Sequence, residues 1–575
     1  MVHPKCATPA TGAQTPRGIA DRVCTVYNRN HSNVRIYSHI LDEYDKEQCD
    51  YGEQCDSICN ACGVAHIAVL HGGSAVCPTQ CARRKCFIGQ DWAKYGFYEY
   101  FCGTTNQSPL MLKKTLLTAA CMLLAWGASL GSTRTDNAGI SPELLEKLRS
   151  SYQETGTNKA IRNAMAANDI NKLAMNADRL NTLPTTEFTY RVPTKGITDQ
   201  KSSGRCWLFT GLNVLRSQMM AQHDLPKLTL SQNYNFFYDQ LEKCNLFLQS
   251  IIDTKEKPME DATVQWLFKN PLSDGGQYTG LSDNIMKYGV VPTEVMAETF
   301  SSNNTRQLNR LLGLKLREWG LELRGMNKTA NTMQRKEEML KEVYRILALT
   351  LGVPPTEFTW TRHDSTGKAL DTRKYTPQEF YNTYCGNDLH GDYVMLMNDP
   401  SRQYYKLYEI DLDRHSYDGG NWIYLNLPVE DIKKMAIESL KDSAMMYFSC
   451  DVGKFIDREH GVLDVNNYDY ESLLGTTFGM NKADRIRTYA SASSHAMTLV
   501  AVALDTNGTP TKWMVENSWG PGANDGHLII SDKWMDEYMF RLVVNKKYVP
   551  EKLKPLFDTK PEILPAWDPM FAPEM

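Results

Sequence analysis

The 575-residue chain has little excess charge of either sign and no long hydrophobic run. Its 63 basic and 67 acidic residues leave a formal net charge of −4 and a pI near 6.3, which gives no electrostatic reason to expect nucleic-acid binding. The apolar run at residues 115–126 is twelve residues long, whereas a helix that crosses a bilayer needs about 20. With an ordinary hydrophobic content of 42%, the chain is expected to form a globular body without stable membrane insertion.

Cysteine is scarce over most of the chain. Ten of the fifteen cysteines fall within residues 1–110. The segment from residue 132 onward contains four, which are Cys206, Cys244, Cys385 and Cys450. If one of these is catalytic, the three that remain do not suggest a disulfide framework.

Residues 111–131 have the anatomy of a bacterial export signal. Lys113 and Lys114 give a basic start, the apolar run follows, and small residues come after it. Because such a signal stands at the start of a protein, we predict that translation begins at Met111. Residues 1–110 would then be a misassigned or disordered extension, and the protein would be exported to the periplasm. If translation begins at residue 1, a cytoplasmic location is expected instead.

A cysteine-rich module is the alternative for residues 1–110. Cys55, Cys59 and Cys62 have a C-x3-C-x2-C spacing, which suits an iron–sulfur cluster or, with a nearby histidine, zinc. No strand–helix pattern surrounds them, so no metal site and no cofactor are predicted. A lipid anchor on Cys121 is disfavoured because this cysteine lies inside the apolar run.

Cys206 has the surroundings of a reactive thiol. Residues 201–204 read as a loop, and apolar residues after Cys206 recur at three- and four-residue spacings, as on a buried helix face. Cys206 would then lie in the first turn of a helix, where the helix dipole favours a thiolate. The side-chain amide of Gln200 could join the Cys206 backbone N–H in binding an oxyanion. The alternative is an inert, buried cysteine.

A predicted hairpin brings together a base and an amide. His495 opens an apolar run that reads as a buried strand, Asn507-Gly508 is a turn signal, and residues 511–517 alternate as a second strand. An antiparallel hairpin places Asn517 within a few positions of His495, with Trp519 beyond it to cover the pair. The alternative is a satisfied polar pair at the open end of an ordinary hairpin.

These residues resemble the papain superfamily of cysteine peptidases. The papain branch itself has Cys-Gly-Ser/Ala-Cys-Trp/Tyr at its nucleophile and the histidine about 130–150 residues downstream. Here the motif is Gly204-Arg205-Cys206-Trp207, and His495 lies 289 residues after Cys206. Both departures resemble the bleomycin hydrolase branch, also called aminopeptidase C. Further motifs typical of that branch occur in family order; they are Gln200-Lys201-Ser202-Ser203, Glu242-Lys243-Cys244-Asn245, Asp274-Gly275-Gly276-Gln277, Lys287-Tyr288-Gly289-Val290-Val291-Pro292, Cys450-Asp451-Val452-Gly453-Lys454 and Pro565-Ala566-Trp567-Asp568-Pro569-Met570.

The resemblance implies a cysteine aminopeptidase that acts on peptides without a metal or organic cofactor. Cys206 would be the nucleophile, His495 the general base and acid, and Asn517 the residue that orients the imidazole. Gln200 would donate to the oxyanion. The family assembles as a homohexamer whose active sites face an inner channel, and the same assembly is expected here.

The resemblance also implies where a peptide binds. Gly275 and Gly276 match a glycine pair whose backbone holds the extended substrate, and glycine leaves room for that approach. Trp519 is assigned to the same cleft. The family's C-terminal arm lies in its own cleft, so the carboxylate of Met575 would receive the free α-amino group of the substrate. The last residues, 571–575, differ from the family's usual ending, and the residue that ends in the cleft stays open.

Two alternative functions follow. If the divergent tail does not reach the cleft, the chain would be a papain-like endopeptidase. If it keeps only the fold, it would be an inactive peptide-binding scaffold, against which the intact set of four catalytic positions argues.

The expected architecture of residues 132–575 is α+β, with a papain-like helical lobe and an antiparallel β lobe. Ser141 and Pro142 predict the first helix, as N-cap and first helical residue. Residues 200–300 would form the helical lobe and residues 445–550 the strand-rich lobe. A large helical insertion is expected at about 300–440, where segments such as residues 336–351 have a helix-like pattern, and a C-terminal arm is expected at about 551–575.

Overall fold

The computed structural model describes residues 25–27, 33–35, 138–180, 182, 184–327 and 331–571. The chain divides into two units, Met1–Thr135 and Asp136–Met575. In the first unit, the described residues form an antiparallel pair of strands, Thr25–Tyr27 and Asn33–Arg35. The Cys55, Cys59 and Cys62 motif and the export signal with Cys121 and Met111 lie outside the described residues.

The second unit begins with the helix predicted from Ser141 and Pro142. Helix Pro142–Ser151 has Ser141 as its N-cap, whose hydroxyl accepts a hydrogen bond from the backbone N–H of Leu144 at 3.2 Å. The apolar face of this helix lies exposed on the single chain, with Leu148 49% accessible. Three shorter helices follow, which are Gly156–Ala167, Ile170–Ala174 and Ala177–Leu180.

A helical region carries Cys206 at the start of its first helix. Helix Cys206–Gln222 is buried almost all round because it packs against other helices on one side and against the sheet on the other. Gly211 permits a close approach to the helix Tyr278–Tyr288, since a Cβ there would lie 2.8 Å from Leu281 Cδ1. The helices that follow Cys206–Gln222 are Gln232–Asp253, Ala262–Lys269, Tyr278–Tyr288, Phe300–Asn303, Arg306–Gly325 and Thr332–Leu351.

Residues 300–440 are only partly helical, which corrects the predicted helical insertion. After Thr332–Leu351 the chain forms an antiparallel hairpin and then three strands of the central sheet. The prediction extended the helical periodicity of residues 336–351 over a segment whose short, half-buried strands do not share it. The elements after residue 351 are strands Phe358–His363, Ala369–Tyr375, Tyr393–Met397, Lys406–Ile410 and Trp422–Asn426, with helices Pro377–Tyr384 and Val429–Lys441.

A mostly antiparallel sheet organises the rest of the unit, and the predicted α+β class is confirmed. Its centre is formed by Pro510–Glu516, His495–Leu504, Met446–Cys450 and Met539–Asn545, in that spatial order. The strand from His495 is buried through its first eight residues, so it has packed neighbours on both faces. The outer strands of the sheet are Tyr190–Arg191, Ile456–Asp457, Val462–Leu463, His527–Ser531 and Glu562–Leu564, together with the three strands between residues 393 and 426.

Short helices connect and close the sheet. They are Tyr470–Leu474, Lys482–Arg487, Ala523–Gly526 and Asp532–Tyr538, with 3-10 turns at Lys546–Tyr548, Lys554–Asp558 and Pro569–Phe571. Within the part of the chain that the structure describes, no helix is both long enough and apolar enough to span a bilayer.

Arg205 anchors the loop that leads into Cys206. Its side chain is fully buried, donates to both carboxylate oxygens of Glu298 at 3.2 and 2.8 Å, and lies over the rings of Phe209 and Phe236. Fixing Arg205 therefore fixes the residue immediately before Cys206.

We expect Arg205→Ala to lower the free energy of unfolding by about 3–5 kcal/mol. Removing the guanidinium from a buried ion pair leaves the carboxylate of Glu298 without its cationic partner. Urea denaturation of the purified protein measures this change. Lys341→Ala is the matched control, since Lys341 forms a solvent-exposed pair with Glu337 and should change stability little. Equal losses in the two variants would contradict the expected role of burial.

Candidate active site

The thiol of Cys206 lies at the N-terminus of a 17-residue helix, as the sequence predicts. Arg205 occupies the N-cap position without a side-chain capping bond, so the first backbone N–H groups are not satisfied by a cap. The helix dipole at this end favours negative charge on the sulfur and on an oxyanion bound beside it. The Cys206 side chain is half-buried, as a nucleophile that must meet a substrate should be.

His495 and Asn517 are brought together by the predicted hairpin. Gly508 adopts a φ of +81° in the turn, a conformation that glycine tolerates, and Thr498 pairs with Glu516 across the two strands. The imidazole Nε2–H of His495 then donates to Asn517 Oδ1 at 2.8 Å. This bond fixes the ring orientation and leaves Nδ1 as the nitrogen that can exchange a proton with a thiol.

The surroundings of His495 keep its imidazole neutral. Burial lowers the pKa of His495 to about 4, the bond to Asn517 opposes this effect, and the positive charge of Arg458 adds to it. Near neutral pH the ring therefore has a free lone pair on Nδ1, which is the form that accepts the proton of a thiol.

Trp519 contacts the imidazole of His495. Its ring centroid lies 4.9 Å from that of His495 with an interplanar angle of 30°. The guanidinium of Arg458 lies 4.7 Å from the centroid of the same indole. The indole thus contacts both the imidazole and a cation, and 36% of Trp519 stays accessible to solvent.

Gln200 links the loop before Cys206 to the residues after Asn517. Its backbone N–H donates to Ser518 O at 2.8 Å, and its Oε1 accepts from the Ser518 hydroxyl at 2.6 Å. One N–H of its side-chain amide donates to Ser203 O at 2.6 Å, which leaves the other N–H for a ligand. The expected oxyanion donor is therefore held by bonds that also fix the base hairpin.

The glycine pair borders the nucleophile helix. Trp207 Nε1 donates to Asp274 O at 2.8 Å, and Gly204 N donates to the Asp274 carboxylate at 2.6 Å. Gly276 is exposed on one side, while a Cβ added there would lie 2.8 Å from Trp207 Cε2. One face of this backbone is thus open for an extended peptide.

A buried polar cluster, which the sequence does not predict, lies beneath the glycine pair. His415 Nδ1 donates to Asp239 at 2.6 Å, and Lys243 forms an ion pair with the other oxygen of Asp239 at 2.8 Å. Lys243 also donates to Ser273 O and Gly275 O at 3.0 and 2.7 Å. Burial raises the pKa of the Asp239 carboxyl, but Lys243 and His415 outweigh it and hold that pKa below its usual value.

The cluster fixes the loop on which a substrate would lie. Asp239 and Lys243 are four residues apart on one helix, a spacing that the sequence does display. His415 is 176 residues away from Asp239, and no sequence signal connects them.

We expect Gly276→Ala to lower the free energy of unfolding by about 1–3 kcal/mol, the usual cost of overpacking a filled site. The new methyl would lie 2.7 Å from His415 Nε2 and 2.8 Å from Trp207 Cε2, both held by buried neighbours. Gly275→Ala is the matched control for stability, because its Cβ meets only Ser273 Oγ, at 3.2 Å. Thermal or urea unfolding compares the two variants; equal effects would show that the packing against His415 does not matter.

The C-terminal arm is described as far as Phe571. Strand Glu562–Leu564 pairs with Lys406–Ile410, Asp568 forms an ion pair with Arg402, and Met570 is buried. Met575, the residue predicted to meet the substrate amine, lies outside the described residues. Among the described residues, no group of three or more His, Cys, Asp or Glu side chains is placed to hold a metal ion.

Comparisons with known proteins agree with this geometry. The model of the Peptidase C1-like family matches residues 139–571. Bleomycin hydrolase of Homo sapiens is 38% identical over 400 residues, which cover 67% of this chain and 88% of that protein. Aminopeptidase C of Lactobacillus delbrueckii subsp. lactis is 36% identical over 444 residues, covering 75% of this chain and 98% of the relative.

A solved structure is similar over the same region. The crystal structure of PepW from Lactobacillus rhamnosis HN001 has a TM-score of 0.72 and 38% sequence identity, covering 76% of this chain and 99% of that one. The family predicted from the motifs around Cys206, His495 and Asn517 is therefore confirmed. This chain belongs to the Peptidase C1-like family, with bleomycin hydrolase and aminopeptidase C among its relatives.

Proposed function

We propose that this chain is a cysteine aminopeptidase that removes N-terminal residues from peptides through an acyl-enzyme on Cys206. The observation that carries the proposal is the His495–Asn517 hydrogen bond of 2.8 Å, which orients the imidazole as a base. The names of the relatives, aminopeptidase C and bleomycin hydrolase, support the same function.

The proposed reaction has two halves. His495 Nδ1 takes the proton of Cys206, and the thiolate attacks the first peptide carbonyl. The oxyanion accepts from the Cys206 backbone N–H and the Gln200 amide. His495 then gives the proton to the leaving amine, the C–N bond breaks, and an acyl-enzyme remains. Water, deprotonated by His495, attacks the acyl carbon, and the amino acid leaves as Cys206 recovers its proton.

Restriction to N-terminal residues comes from the C-terminal arm in this proposal. The terminal carboxylate, at Met575, would lie on the acyl side of the cleft and pair with the substrate's α-ammonium. The Arg402–Asp568 ion pair and buried Met570 anchor the arm. This anchoring supports a fixed path of the arm towards the cleft. Gly275, Gly276 and Trp519 would contact the substrate on either side of the scissile bond.

Alkylation of the thiol tests the proposed nucleophile. We expect hydrolysis of amino-acyl arylamides, and its loss after reaction with one equivalent of iodoacetamide. Peptide mapping by mass spectrometry should place the carbamidomethyl group on Cys206. Cys385 is the internal control, since it is also half-buried and burial raises the pKa of its thiol. Inactivation with the label on Cys385 and not on Cys206 would refute the assignment.

The proposal extends to architecture and assembly. The helices around Cys206 and the sheet that carries His495 would form the two lobes of a papain-like enzyme, with helices of residues 300–351 as part of an insertion. A homohexamer is proposed, and the exposed apolar face of helix Pro142–Ser151 supports a contact that a single chain does not make. Sedimentation of the native protein as a monomer would contradict it.

Export is also part of the proposal. It rests on the signal-like composition of residues 111–131. N-terminal sequencing of native protein should find a first residue at about 132, after signal cleavage. A first residue before 111 would contradict both the start at Met111 and the periplasmic location.

A further inference from the structure

Arg458, Trp519 and His495 form a stack at the edge of the proposed active site. The indole of Trp519 contacts both the imidazole and the guanidinium of Arg458, at 4.9 and 4.7 Å from its centroid. Arg458 and His495 thus share a contact with one aromatic ring. The charge of Arg458 contributes to the lowered pKa of His495, but the reaction proposed above gives Arg458 no contact with the substrate.

The positive charge of Arg458 is available to a ligand. Its side chain is exposed, and no hydrogen bond or ion pair joins it to another residue within the described part of the chain. The adjacent carboxylate, Asp457, is already occupied by the backbone N–H groups of Glu459 and His460 and by the ring of His460. Stacking on Trp519 orients the planar guanidinium, which lowers the entropy lost when a carboxylate binds it.

The leaving part of the substrate passes this cation. His495 must deliver a proton to the leaving nitrogen, so the residue that carries this nitrogen lies beside the imidazole and not on the acyl side of Cys206. Trp519, which is 36% exposed, contacts both the imidazole and Arg458. The imidazole and the guanidinium contact the same indole, at 4.9 and 4.7 Å, and the long, exposed side chain of Arg458 can extend towards a carboxylate on the first residue after the scissile bond.

We propose that Arg458 is a specificity-determining residue that favours peptides with a carboxylate on the first residue after the scissile bond. Two sources supply this chemistry, which are the free C-terminus of a dipeptide and the side chain of Asp or Glu as the second residue of a longer peptide. The guanidinium fork binds either carboxylate through two N–H groups. This inference rests on the proposed peptidase function, because it assigns the leaving-group side of that site.

Two pairs of substrates test the inference and separate the two sources. Ala-Ala is compared with Ala-Ala-amide, and Ala-Asp-amide with Ala-Asn-amide, so that each pair differs mainly in one carboxylate. The ratio of kcat/KM within a pair is measured for the native protein, Arg458→Gln and Arg458→Lys. Lys159→Gln is the matched control, since it removes an exposed positive charge from a helix that carries no proposed site residue.

We expect the native protein to favour the carboxylate member of at least one pair by about five- to twenty-fold, in line with a charge-assisted bidentate contact. The ratio should fall towards one in Arg458→Gln, be partly kept in Arg458→Lys and be unchanged in Lys159→Gln. A shift in the first pair alone assigns the free C-terminus, and a shift in the second assigns an acidic side chain.

An unchanged ratio in Arg458→Gln would overturn the inference while leaving the peptidase intact. If the native protein hydrolyses none of the four substrates, the proposed function is overturned instead. If Arg458→Gln does not fold, the native ratio is measured at rising salt. Screening of the exposed Arg458 should then lower the ratio, and a ratio insensitive to salt would overturn the inference.

Discussion

Cys206→Ala should lower kcat on amino-acyl arylamides by at least about 10,000-fold, because the covalent route disappears and only binding and the oxyanion donors remain. The alanine keeps the helix Cys206–Gln222 intact, so circular dichroism and thermal unfolding should match the native protein. Steady-state kinetics with enough variant to detect the residual rate measures the effect.

Cys385→Ala is the control for loss of a thiol. Cys385 ends the helix Pro377–Tyr384 at the C-cap and lies outside the proposed site. The activity of the Cys385→Ala variant should stay within a few-fold of that of the native protein. Residual activity of Cys206→Ala within about tenfold of native would remove Cys206 as the nucleophile and would assign the hydrolysis to another group.

His495→Gln should lower kcat by about 1,000- to 10,000-fold, the range for losing a general base and acid, while KM changes little. Glutamine fills a similar volume and can still bond to Asn517, but it has no group that accepts and returns a proton. Asn517→Ala should cost less, since Trp519 still holds the ring at a centroid distance of 4.9 Å. Single-turnover kinetics separates the acylation step from deacylation, and both should slow in His495→Gln.

His390→Gln is the matched control for this prediction. His390 is half-exposed and hydrogen-bonds to Asp283 at 2.7 Å, away from the proposed site. Its kcat should remain near the native value. A His495→Gln variant as active as His390→Gln would show that the base lies elsewhere.

The contact between His495 and Asn517 could be predicted from the sequence because it depends on residues that are close together in the chain. Strand, Asn507-Gly508 turn and strand follow one another directly, so closing the hairpin was enough to place Asn517 beside His495. Cys206 was placed for a similar reason, since the start of its helix depends on the loop and the apolar spacing around it.

Other parts of the site could not be predicted because they depend on packing between distant segments. His415 reaches Asp239 from a loop 176 residues away, and Arg458 meets Trp519 only when the strands around them have assembled. The same limit explains the error in residues 300–440. Short strands such as Lys406–Ile410 are defined by their neighbours in the sheet. The helix Thr332–Leu351, in contrast, is predicted by the hydrophobic periodicity of its own sequence.

Hydrogen bonds between two segments that are far apart in sequence hold the residues of the proposed site in position. Gln200 bonds to Ser518 through both backbone and side chain, and Gly520 N donates to Thr198 O at 3.0 Å. These contacts hold the loop before the nucleophile against the residues after Asn517. The reacting groups are therefore positioned before a substrate arrives, which lowers the entropic part of the barrier.

The measurement that tests the central claim most directly compares amino-acyl arylamides with and without an N-terminal acetyl group, with Cys206→Ala as the blank. The account predicts hydrolysis of the free amine and at least about 100-fold slower hydrolysis of the acetylated substrate, because blocking removes the ammonium that the carboxylate of the arm would bind. Equal hydrolysis of both substrates would contradict the aminopeptidase and identify an endopeptidase whose arm leaves the cleft open.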